Sequence, residues 1–189
     1  VGASTYDIIS VSDDELFVRI IQAGNGFAWY HRFTSTKPVE GDVDPGYEYS
    51  NLVWEDDFNT DGAPDPSKWT YDLGTTDIFG NFGWGNQEAQ SYTSNAENVI
   101  VENGSLKITA IKDGNDYTSA RIKTQGRYSF TYGRVEVRAK LPAAQGTWPA
   151  IWMLGSNHPT AGWPYSGEID IMEQRGNDKS YVEGTCHWY

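Results

Sequence analysis

Hydrophobic positions along the chain recur with a period of two in short runs, and turn residues punctuate them. The clearest run is Arg134–Leu141: Val135, Val137 and Ala139 alternate with Arg134, Glu136, Arg138 and Lys140. Side chains alternate across a strand, so this run predicts a strand with one buried and one solvated face. Asn98–Glu102 and Ser105–Ala110 flank Asn103-Gly104, a pair suited to the tight hairpin turn that needs two positive φ values. Ala120–Thr124, Pro149–Leu154 and Val182–Tyr189 read as further strands, and Ala63–Trp69 reads as a loop or short helical turn. Before residue 39, Tyr6–Val11, Glu15–Ile21 and Gly26–Phe33 predict three more strands, rich in β-branched and aromatic residues and separated by turns at Ser12–Asp14 and Ala23–Gly26.

These runs give an all-β chain of three parts. Residues 1–38 are the end of an upstream β module, because a three-strand meander cannot bury both its faces. Residues 39–50, with Pro and acids and no apolar period, form a linker. Residues 51–189 carry regularly spaced short strands, as in a sandwich or jelly roll. A sandwich commonly takes about 200–250 residues, so 51–189 is expected to be the N-terminal part of one, incomplete at its C-terminus.

Composition narrows the partners. The net charge is −12, from 14 basic and 26 acidic residues. It excludes a phosphate backbone, which needs clustered Lys and Arg, and disfavours an anionic membrane; no apolar run is long enough to span one. A neutral ligand fits best, and 8 Trp and 12 Tyr could supply flat apolar platforms for it. Cys186 is the one cysteine, so no internal disulfide forms, and His31, His158 and His187 show no metal-ligand spacing.

Gly167–Glu173 carries the chemistry. Glu168 and Asp170 are two apart and share a strand face, whereas Glu173, five from Glu168, belongs to the opposite face. A β-bulge at Ile171-Met172 would turn Glu173 back, so that all three acids line one face and Ile169 points into the core. Crowded carboxylates push one pKa up and keep another ionised. Glycoside hydrolysis needs that division: one carboxylate attacks the anomeric carbon while a protonated one donates to the leaving oxygen. The bland alternative is a solvated acidic face or a weak calcium site.

The flanks favour the catalytic reading. Gly146–Gly155 and Gly162–Glu173, with Gly83–Glu88 and Tyr132–Lys140 upstream, resemble the laminarinase-type β-glucanases of glycoside hydrolase family 16 over roughly Val53 to Tyr189. The resemblance implies a two-sheet β-jelly roll, a concanavalin-like sandwich, with a sugar-binding cleft on its concave face. It implies that Glu168 is the nucleophile, Asp170 the residue that holds and tunes it, and Glu173 the acid/base. Trp148 and Trp163 match aromatics flanking the cleft, Asn86 and Arg121 match polar residues that bind sugar hydroxyls, and His187 matches a histidine beside the acids. Trp152, between Ile151 and Met153, reads as core, and Met172 as the bulge residue alone. That extra residue is typical of laminarinases, agarases and carrageenases, and is absent from the mixed-linkage lichenases. The expected activity is a retaining endo-glucanase cleaving β-1,3 or β-1,3/1,4 bonds, secreted or at the cell surface and monomeric, acting on a β-glucan polysaccharide without a cofactor; structural calcium is left open. The rivals are another family activity (agarase, carrageenase or lichenase) and a non-catalytic glucan-binding protein, against which the three intact acids argue.

Overall fold

The computed structural model describes residues 51–189 and, as backbone, two earlier strands at 16–22 and 29–34. The expected strand at Tyr6–Val11, the boundary at residue 38 and the linker at 39–50 lie outside the described residues. In chain order the strands are β1 (Leu16–Gln22), β2 (Trp29–Thr34), β3 (Thr70–Asp72), β4 (Gln90–Tyr92), β5 (Val99–Val101), β6 (Leu106–Ile108) and β7 (Ile111–Asp113). They continue with β8 (Asp116–Ser119), β9 (Arg121–Lys123), β10 (Glu136–Ala139), β11 (Ala150–Leu154), β12 (Glu168–Arg175) and β13 (Asp178–His187). A one-turn helix, His158–Ala161, and a 3-10 turn, Gly83–Gly85, are the helical elements among the described residues.

The chain divides into two compact units, Leu52–Ser129 and Phe130–Tyr189 with the strands before residue 52. In the first, β3 pairs with β9, β5 with β6, and β8 with both β4 and β7. The β5–β6 hairpin has the predicted turn: Asn103 and Gly104 take φ values of 54° and 72°, and Glu102 N–H donates to Ser105 O at 2.9 Å. Ala63–Trp69 contains a turn in which the Lys68 and Trp69 N–H groups donate to Asp65 O. Asn98, fully buried, ties this unit together. Its amide donates to Thr109 O and Thr118 Oγ1, both at 3.0 Å, and its Oδ1 accepts from the Thr93 hydroxyl at 2.6 Å.

The second unit contains two three-stranded antiparallel sheets, β10-β1-β2 and β11-β12-β13. β1 is thus hydrogen-bonded to β10, with Val18 opposite Val137. The alternation predicted around β10 is present: Val137 and Ala139 are half-buried, Glu136 and Arg138 exposed. Ile171, Met172 and Val182 form the buried core, with Val135, Leu141, Ile151, Met153 and Ile169 packed against it. Met172 is therefore more than a bulge residue. It is fully buried and pairs with Ile151 on the packed side of the sheet.

Candidate active site

β12 lies between β11 and β13, and its register changes in mid-strand. Glu168, Ile169 and Asp170 face His187, Cys186 and Thr185 of β13, after which Glu173 faces Glu183, one residue out of step. Against β11 the step falls at Ile171: Met172 faces Ile151 and Asp170 faces Trp152, so Ile171 has no partner there. This is the expected bulge, with Ile171 as its extra residue.

Directly opposed residues on neighbouring strands point to the same side of a sheet. One side of this sheet therefore carries Glu168, Asp170 and Glu173, with Ala150, Trp152 and Leu154 from β11 and Glu183, Thr185 and His187 from β13. The other side carries the core residues Ile151, Met153, Ile169 and Met172. Trp152 therefore stands on the acids' side, directly opposite Asp170, and not in the core. The parity of β11 holds the missed signal, since Ile151 and Met153 on either side of Trp152 face the other way.

Asp170, only 4% exposed, sits at the centre. Its Oδ2 is 3.2 Å from His187 Nε2. Burial drives its pKa up to about 7, helped by the charge of Glu168 and a hydrogen bond with Glu168, while His187 pulls it down. Near neutral pH its proton can bridge to Glu168. Burial also raises the pKa of Glu173, assisted by the charges of Asp170 and Glu183, and a hydrogen bond from the Trp148 side chain opposes the rise. Trp163 lies beside His187, ring centroids 5.7 Å apart, and is 56% exposed. Six expected residues thus come together: Glu168, Asp170, Glu173, His187, Trp148 and Trp163. Glu168, Asp170 and His187 also offer cation-ligating atoms within 4.8 Å of one another; the same groups bond to each other, which is how a carboxylate pair with a helper histidine is built.

Asn86 and Arg121 belong to the unit spanning Leu52–Ser129. Arg121 lies over the Trp84 ring, 4.7 Å from its centroid, with its Nε 3.1 Å from Asp72 Oδ2. Asn86 Nδ2 donates to Glu88 Oε1 at 3.3 Å, and Glu88 also accepts from Gln90 and the Tyr92 hydroxyl. Glu88 is thus the acceptor that organises this loop, a role its place in the Gly83–Glu88 segment did not disclose.

Residues 86–189 match the glycosyl hydrolases family 16. The chain belongs to this family. It is 51% identical over 142 residues to a beta-glucanase of Rhodothermus marinus, covering 72% of this chain and 48% of that protein. It is 41% identical over 158 residues to glucan endo-1,3-beta-glucosidase A1 of Niallia circulans, covering 77% of this chain and 23% of that protein. The crystal structure of a laminarinase from Flavobacterium sp. UMI-01 is similar at 50% identity with a TM-score of 0.68, over 72% of this chain and 57% of that one. The chain thus spans about half the length, or less, of the curated relatives named, and it has the all-β jelly-roll fold of the family 16 laminarinases.

Proposed function

We propose that the protein is a retaining endo-β-1,3-glucanase. The observation that carries this reading is the bulged β12 strand, which aligns Glu168, Asp170 and Glu173 on one face, with Asp170 and Glu173 both held more protonated than ordinary carboxyls. Glu168 attacks the anomeric carbon as Glu173 delivers its proton to the glycosidic oxygen, and the bond to the leaving sugar breaks. Glu173, now a carboxylate, takes a proton from water. The hydroxide equivalent displaces Glu168 from the anomeric carbon, so two inversions give net retention. Asp170 donates its proton in a hydrogen bond to Glu168, and His187 orients Asp170 from the neighbouring strand. Trp148, Trp163, Asn86 and Arg121 are the proposed sugar contacts.

The net charge of −12 favours a neutral glucan over sulfated or carboxylated polymers, and the beta-glucanase and laminarinase relatives point the same way. No cofactor takes part in this chemistry. A polymer of this size does not cross a membrane, which supports a secreted protein; that it works as a monomer, and that residues 1–38 end an upstream module joined by a linker, are part of the proposal.

The test is reducing-sugar release from soluble β-1,3-glucan, mixed-linkage glucan, agarose, carrageenan and xylan, with Glu168→Gln as control. Fastest release from β-1,3-glucan, abolished in Glu168→Gln, is expected. Faster release from a sulfated galactan, or undiminished turnover by Glu168→Gln, would refute the proposal.

A further inference from the structure

Trp148 is held at three points, by Glu173 and Gln174 of β12 and by Gly176 in the turn that follows. Its side chain acts on the Glu173 carboxyl, favouring the ionised form. The carbonyl before it, Thr147 O, accepts from Gly176 N–H at 2.8 Å, and the carbonyl after it, Pro149 O, accepts from Gln174 N–H at 3.2 Å. The indole is therefore fastened to the strand that carries its carboxyl partner, by the backbone on both sides of its own α-carbon.

Gly176 makes the tightest of these contacts. It sits in the turn between β12 and β13, where Arg175 pairs with Asp178. A β-carbon on Gly176 would lie 2.0 Å from Thr147 Oγ1 and 2.1 Å from Ala144 O, far inside any tolerated contact. Its φ lies outside the left-handed region, so space alone requires glycine. The opposing loop cannot give way freely: Ala144 O also accepts from Thr147 N–H at 3.1 Å and from the Thr147 hydroxyl at 2.7 Å. Residues 144–147 form a closed turn on which Gly176 rests.

We infer that Gly176 is a positioning residue for the acid/base: by lacking a side chain it lets the β12–β13 turn close on the 144–147 loop, which fixes the Trp148 indole against Glu173. This rests on the acid/base role proposed for Glu173. A donor aimed at a carboxylate favours the ionised form. The indole thus offsets part of the upward push that Glu173 receives from burial and from its acidic neighbours, and steadies the carboxyl for proton transfer.

The experiment compares Gly176→Ala, Trp148→Phe and the double variant in the full-length protein. The Glu173 carboxyl is titrated directly by carbon-13 NMR, alongside the pH dependence of kcat/KM on soluble β-1,3-glucan. Gly176→Ala should move the Glu173 titration and the alkaline limb of the profile to higher pH, with kcat down roughly tenfold or more, the scale of a small misplacement. Trp148→Phe should move the titration the same way, and the double variant no further, because both changes remove one hydrogen bond. A folded Gly176→Ala protein whose Glu173 titrates as in the wild type overturns the inference, as does an additive double variant. If Gly176→Ala does not fold, an ester in place of the Gly176 amide removes the 2.8 Å bond without bulk; an unmoved titration there overturns it equally. The titration reads Glu173 whatever its role. Undiminished turnover by Glu173→Gln would refute the acid/base assignment while leaving the NMR result standing.

Discussion

His187 Nε2 lies 3.2 Å from Asp170 Oδ2, so a histidine on the last strand meets the most deeply buried acid of the neighbouring one. The contact bears on stability. In the folded protein Asp170 holds its proton up to about pH 7, against an ordinary value of 3.8. Between those limits the folded state binds a proton that the unfolded state does not. The resulting stabilisation is complete below about pH 4 and is lost as pH rises toward 7. Relative to Asp170→Asn, which does not titrate, the wild-type melting temperature should fall across that window and then level off. His187→Ala, which removes the group pulling the pKa down, should extend the decline to higher pH. Thermal melts at a series of pH values check both, and a wild-type minus Asp170→Asn difference that is flat with pH would count against the raised Asp170 pKa.

Azide separates the roles of the two outer acids. With an activated aryl glucoside, Glu168→Ala plus azide should regain turnover and release a glycosyl azide of inverted configuration, because azide fills the space of the missing nucleophile. Glu173→Ala plus azide should give the retained azide, formed by attack on the glycosyl-enzyme. Proton NMR of the anomeric centre distinguishes the two products. Exchange of the two outcomes would reverse the assignments.

Glu183 faces Glu173 across β12 and β13, and its charge helps to hold the Glu173 proton on. Glu183→Gln should therefore lower the Glu173 pKa and draw the alkaline limb of the kcat/KM profile to lower pH. This is opposite in sign to the shift expected from Trp148→Phe. A pH-rate profile of each variant tests the pair of signs.

Away from the acids, Asn98→Ala should be among the more damaging single changes. It leaves the Thr93 hydroxyl and the carbonyl of Thr109 without their partner in a partly buried site. A loss of about 2–3 kcal/mol is expected, which corresponds to a fall of roughly 5–10 °C in melting temperature. Activity measured well below the transition should be retained, and calorimetry supplies the number.

Most of this was legible in the chain because period-two patterning and turn chemistry are local. Asn103-Gly104 specifies its own turn, and the odd spacing of Glu168 and Glu173 requires a bulge if both are to face one way. Pairings between distant segments were not legible in this manner. Nothing near Gly176 says that it presses on Ala144, since that contact arises only when β12 turns into β13. Trp152 shows a subtler limit. An aromatic ring between Ile151 and Met153 looks like core when judged by composition, and strand parity places it with the acids. Glu88 gathers hydrogen bonds from Asn86, Gln90 and Tyr92, a convergence made by the fold of its loop.

The unpaired Ile171 gives β12 one point at which its length can change without consequence for direction. Upstream of it the strand is in step with Trp152–Leu154, and downstream with Ala150 and Ile151, each flank holding its own register. Removing one residue at this point would close the ladder into a regular strand, and Glu168, Asp170 and Glu173 would still look the same way, at even spacing. Removing one residue anywhere between Glu168 and Asp170 would send an acid into the packed side. Shortened and unshortened strands can thus share one acidic face, and the part of the sequence most exposed to loss by deletion is the two-residue step from Glu168 to Asp170, not the longer interval to Glu173.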